Sequence, residues 1–131
     1  MTQKSNIIFV CEHGAAKSVI AAAYFNKLAA ERGMDLRAIA RGTHPDEVLS
    51  PKAVAGLLED GLQPAEKYPQ KLQASEAESA KRIITFCKLP DDLTGMTEVE
   101  EWDGVPPVSD DYQVARSAIV EHLEHLMTEI K

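Results

Sequence analysis

Val10-Cys11-Glu12-His13-Gly14-Ala15-Ala16-Lys17-Ser18 follows the apolar run Ile7-Ile8-Phe9-Val10 and opens a long helical pattern. Four contiguous, mostly β-forming apolar residues read as a fully buried strand, the signature of a central strand in a parallel sheet. Strand, glycine-containing loop and helix start then follow within nine residues. That order places the Cys11 sulfur beneath backbone NH groups at the positive end of a helix dipole, where a thiolate is stabilised. Lys17 adds a full positive charge and Ser18 a hydroxyl donor, so one loop suits both a nucleophile and a tetrahedral oxyanion.

Working outward, residues 17–32 carry a helical stripe of Ile20, Ala23, Tyr24 and Leu28, widened by Ala21, Phe25 and Ala29 and stopped at Gly33. Leu36 to Ala40 reads as a second strand, and Arg41-Gly42-Thr43-His44-Pro45-Asp46 as a loop. Ser50-Pro51 predicts a helix start, with Val54, Leu57 and Leu58 inward and Gly61 beyond its end. Ser75-Glu76-Ala77-Glu78 has a capping-box pattern for a short helix, and Arg82 to Cys87 is an apolar, β-branched third strand. Thr97 to Trp102 alternates like an edge strand, a proline-rich turn follows, and Ser109 is the expected cap of a last helix. The inward face of that helix is expected to be Val114, Ala115, Ala118, Ile119, His122, Leu123, Leu126 and Ile130. The alternation predicts an α/β fold, a three-layer sandwich whose mostly parallel four-stranded sheet is flanked by helices. Ligands of such sheets sit at the carboxyl ends of the strands, where Cys11, the 41–46 loop, Cys87 and the 102–108 loop would gather.

The 131 residues fit a single domain, 1–131. A net charge of −7 and isolated aromatics without a basic patch argue against nucleic acid and anionic membranes as partners. The polar start and the short run Ile7 to Val10 hold neither a signal peptide nor a membrane span. Two cysteines without an export signal indicate a cytoplasmic protein with reactive or packed thiols rather than a disulfide framework. His13 and His44 match no metal-ligand spacing with Cys11, so neither metal nor other cofactor is expected. His122 and His125, three residues apart among glutamates, read as one wet edge plus partial core rather than a ligand pair.

Cys11-x5-Lys17-Ser18 after the first strand, then Arg41-Gly42-Thr43-His44-Pro45, Ser50-Pro51, the Ile83 to Cys87 strand and Trp102-Asp103, resembles the low-molecular-weight protein tyrosine phosphatase superfamily. Within it the pattern is most similar to the arsenate reductase branch. The resemblance implies that Cys11 attacks phosphate or arsenate, that Ser18 steadies the thiolate, and that amides from Glu12, His13, Gly14, Ala15, Ala16 and Lys17 cradle the oxyanion. It also implies that Cys87 resolves a Cys11 adduct, with thioredoxin or a low-molecular-weight thiol as reductant. Hydrolysis of a phosphomonoester and binding of a phosphorylated ligand without turnover are the alternatives.

Three departures from the family pattern stand out. Lys17 replaces a forked arginine with a point charge. The expected Asp-Pro falls near Pro106-Pro107, leaving Asp103 as the candidate proton donor, though beside Gly104 it is equally a turn former. Residues 88–95 hold no third cysteine, so a longer thiol relay is incomplete and Cys87 is alternatively a packed strand residue. Arg41 offers a second positive charge to the anion or pairs with a neighbouring acid.

Overall fold

A computed structural model describes residues 5–87, 99–102 and 104–130. In chain order they form β1 (Ser5–Cys11), α1 (Lys17–Glu31), β2 (Leu36–Gly42), α2 (Pro51–Glu59), α3 (Ala74–Ser79), β3 (Arg82–Thr85), β4 (Val99–Glu101) and α4 (Tyr112–Glu129). The strands lie in the order β2-β1-β3-β4, all parallel. β1 is buried on both faces, which is why its sequence is apolar without alternation. Ile7 and Phe9 pack with Ala38, Ala40 and Ile84 towards α1, α2 and α4, while Ile8 and Val10 pack with Ile83 towards Leu72, Ala77 and Ala80. The α/β sandwich with a four-stranded sheet is thus as expected. The chain leaves β1 for β2 on one side and returns to β3 on the other, and that reversal opens a crevice at the carboxyl ends of β1 and β3.

Several element ends differ from the sequence reading. β2 continues to Gly42 because its last residues stay paired with β1 through Cys11. β3 ends at Thr85, whose hydroxyl accepts from the Cys87 NH and donates to the Cys87 carbonyl, turning the chain out of the sheet. α3 is capped two positions before the expected Ser75, by Gln73, whose NH donates to the Glu76 carboxylate. α4 is capped by Asp111, which accepts from the Val114 NH, instead of by Ser109. The Asp110 NH bonded to the Pro107 carbonyl makes a separate turn of 107–110, and Lys52 takes the carbonyl of Ser109. Leu58 and Val114, expected inside, are 58% and 49% exposed, whereas Ala53, Gly56 and Met127 are buried. Of the Thr97 to Trp102 expectation, Val99–Glu101 is strand, and Thr97 and Glu98 lie outside the described residues.

One polar hub ties three helices. Asp60, just past α2, accepts from Tyr24 of α1 at 2.5 Å and from Tyr112 and Arg116 of α4 at 2.8 and 3.1 Å. Burial pushes the Asp60 carboxyl up, but these donors outweigh it and hold it below the usual aspartate range. A carboxyl held low stabilises the fold above its unfolded pKa, and that contribution disappears as pH falls through the folded value. Asp60→Asn is therefore expected to lose about 2 kcal/mol at pH 7. The gap from the parent should shrink as pH drops below the usual aspartate range. Urea unfolding of both proteins at pH 7 and at pH 3 checks this; an equal gap at both would refute it.

Candidate active site

Between β1 and α1 the chain turns through residues 12–16, and the turn is held from outside by the segment after β2. The NH groups of Thr43, His44, Asp46 and Ser50 donate to the carbonyls of Cys11, Glu12, His13 and Ala15 at 3.3, 2.7, 3.0 and 2.9 Å. Engaging the carbonyls in this way leaves the amides for another partner. Among the described residues, the NH groups of His13, Gly14, Ala15 and Ala16 donate to no protein acceptor. Such a run of free amides ahead of a helix is an anion-binding concavity. Gly14 permits the turn with φ +62°, and its backbone lies so near that of Gly42 that a Cβ on either would meet the other at 2.9 or 2.7 Å.

The Cys11 sulfur sits at the floor, 8% exposed, with the fully buried Ser18 hydroxyl 3.0 Å away. Lys17 lines the same space and makes no ion pair or side-chain hydrogen bond among the described residues. Arg41 behaves differently. Its guanidinium is hydrogen-bonded to Glu76 at 2.8 Å and Glu66 at 2.7 Å beneath α3, so of its two expected roles the structure favours pairing with acids. His44 stands beside the Thr43 hydroxyl and, unlike His13, does not line the cleft.

A cleft of about 420 Å³ opens above the sulfur, within the range of small-ligand sites. Glu12, His13 and Asp46 line it together with Lys17. Val48, Leu49, Phe86, Pro107 and Val108 give it an apolar wall. Cys87 lines it as well, because the register pairs Val10 with Thr85 and thereby carries both cysteines to the same end of neighbouring strands. Burial pushes the Cys87 thiol up, assisted by the proximity of Cys11 and opposed by hydrogen bonds from Thr85 and Thr43. Both cysteines are free. Sequence reasoning passed over Thr85, although a hydroxyl inside an apolar strand was the available signal, and over the apposition of Gly14 and Gly42, which no local pattern carries.

Trp102 is buried against Phe9 and Phe86 and stacked on His122 at 4.7 Å, so His122 is the partly buried member of the expected pair and His125 the exposed one. Asp103 lies outside the described residues. Among the described residues no group of three potential ligands is arranged for a metal, and no helix is long and apolar enough to cross a membrane.

Comparison with known proteins agrees with this geometry. The family described as Low molecular weight phosphotyrosine protein phosphatase matches residues 6–102. An arsenate reductase from Archaeoglobus fulgidus superposes with a TM-score of 0.74 at 26% identity, covering 92% of this chain and 97% of the other. YfkJ from Bacillus subtilis gives 0.86 at 15% identity, covering 98% and 96%. A low molecular weight protein tyrosine phosphatase from T. tengcongensis gives 0.81 at 16%, covering 96% and 99%. A sequence comparison with curated proteins returned no match.

Proposed function

The chain belongs to the low molecular weight phosphotyrosine protein phosphatase family, and from that premise we propose that it is a cysteine-thiolate enzyme acting on a tetrahedral oxyanion, with arsenate as the oxyanion it reduces. The observation that carries this reading is that Cys11 and Cys87 line one cleft. Cys11 attacks arsenate held by the 12–17 amides and Lys17, and the displaced oxygen leaves as water. The Cys87 sulfur, after losing its proton, then attacks the Cys11 sulfur. The sulfur–arsenic bond breaks with its electron pair on arsenic, reducing As(V) to As(III), and a disulfide remains. Thioredoxin or a low-molecular-weight thiol, plentiful in cytoplasm, supplies the two electrons that restore both thiols. The kinship in sequence and fold with the Archaeoglobus fulgidus arsenate reductase supports this reading.

Hydrolysis of a phosphomonoester is the second reading, favoured by the apolar wall of Val48, Leu49 and Val108, which leaves room for an organic group beyond a bare oxyanion. Here Cys11, Lys17 and Ser18 keep their roles, a proton donor at the cleft serves the leaving oxygen, and Cys87 is part of the wall. Arsenate exposure of the reduced protein separates the two. A peptide linking Cys11 to Cys87, with arsenite released in equal amount, is expected by mass spectrometry. No link, and no arsenite released by the parent protein, would return Cys87 to the wall and leave ester hydrolysis.

A further inference from the structure

Transfer of an oxyanion to sulfur needs a proton as well as a nucleophile, because the oxygen that leaves must be protonated as its bond breaks. Besides the cysteines and Lys17, the titratable side chains lining the described part of the cleft are Glu12, His13 and Asp46, and they form one cluster. The His13 ring brings Nδ1 to 3.3 Å from the Asp46 carboxylate, while Nε2 stands 3.7 Å from Glu12. The Asp46 NH also donates to the His13 carbonyl at 3.0 Å. Two short side chains on backbones already bonded to each other lose little further freedom on pairing, unlike two long surface side chains. A carboxylate at Nδ1 orients the ring, as in acid–base histidines, and His13 lines the cleft that holds Cys11.

We propose that His13 is the acid–base residue of the Cys11 reaction and that Asp46 is its positioning residue, an inference that rests on Cys11 being the nucleophile. In the first half-reaction the Cys11 thiolate attacks the phosphorus of a phosphomonoester. A sulfur–phosphorus bond forms, the phosphorus–oxygen bond breaks, and imidazolium His13 gives its proton to the departing alcohol oxygen. In the second half-reaction neutral His13 takes a proton from the water that attacks phosphorus. Inorganic phosphate leaves, and the thiolate and imidazolium are regenerated. With arsenate the same proton converts the departing oxygen to water. The groups facing His13 are the carboxylates of Glu12 and Asp46, with Lys17, Cys11 and Cys87 in the same cleft.

The test compares phenyl phosphate, whose phenolate needs a proton to leave, with p-nitrophenyl phosphate, whose anion leaves without one. His13→Ala is expected to lose about 100-fold in kcat/KM, which reports the leaving-group step, on phenyl phosphate and less than tenfold on p-nitrophenyl phosphate. Inhibition by inorganic phosphate should stay within about twofold, because the amide loop remains. The His13 side chain is 58% exposed, so dissolved imidazole can enter the vacated place and restore part of the rate. Asp46→Asn should lose less and shift the pH profile of kcat. Equal loss of kcat/KM on both esters, no rescue by imidazole, or a leaving-group-dependent loss in Asp103→Asn with His13→Ala unaffected would overturn the proposal. If arsenate is the only substrate turned over, imidazole rescue of arsenate-dependent thiol consumption decides it in the same way. A parent protein with no Cys11-dependent turnover of either ester or arsenate overturns both readings, whereas normal turnover by His13→Ala overturns this one alone.

Discussion

Cys11→Ser is expected to lose at least about 10⁴-fold in turnover of either an oxyanion or an ester while still binding phosphate. The two outcomes separate because binding and chemistry use different atoms of one loop. In the proposed reading the anion is held by amides, whose orientation is set by carbonyl bonds to the NH groups of Thr43, His44, Asp46 and Ser50, and none of these bonds involves the sulfur. Lys17 also stays, with its ammonium unclaimed by a carboxylate among the described residues. The chemistry requires a soft, ionisable atom at the floor, and a serine hydroxyl is neither. The remaining Ser18 hydroxyl, 3.0 Å from the sulfur, is fully buried beneath the loop and cannot take its place. Calorimetric titration with phosphate, alongside steady-state assays, reads both quantities. A Cys11→Ser protein with full turnover would dispose of the nucleophile assignment, and one that has lost phosphate binding would show that the sulfur itself organises the loop.

What the sequence made legible was local. The apolar run Ile7 to Val10 identifies a strand buried on both faces because each of its residues must find an apolar neighbour, and all four are fully buried. Proline at the first position of α2 and the Cys11 to Ser18 spacing are likewise short-range, and they placed the helix start and the loop correctly. What was hidden depends on partners far along the chain. Arg41 looked available to an anion until Glu66 and Glu76, 25 and 35 residues later, took its guanidinium. Val114 lies on the expected stripe of α4 yet is exposed, because the cap falls at Asp111 and the helix enters the core only at Ala115. The meeting of His13 with Asp46 follows from the zipper of NH groups after β2, which alternation and propensity do not encode.

That zipper makes Gly42→Ala the substitution with the largest expected structural effect. A methyl at position 42 would stand 2.7 Å from the Gly14 nitrogen and 3.0 Å from its Cα, both backbone atoms that cannot rotate aside. β2 cannot retreat either, since the Gly42 NH donates to the Gln70 carbonyl at 2.8 Å and its carbonyl accepts from the Leu72 NH at 3.0 Å. The strain is relieved only by separating the two loops, which breaks bonds such as the 2.7 Å one from His44 to Glu12. Overpacking and lost hydrogen bonds together cost about 2–4 kcal/mol. Once the carbonyls are released, the amides no longer converge, so phosphate affinity should fall more than tenfold. Gly33→Ala is the control: Gly33 also has a positive φ, +66°, but a Cβ there meets nothing within 4 Å. It should cost only about 1 kcal/mol and leave phosphate binding unchanged. Thermal melts and phosphate titrations of the two variants measure the difference. Equal losses in both would mean that the contact between Gly42 and Gly14 does not hold the anion loop in shape.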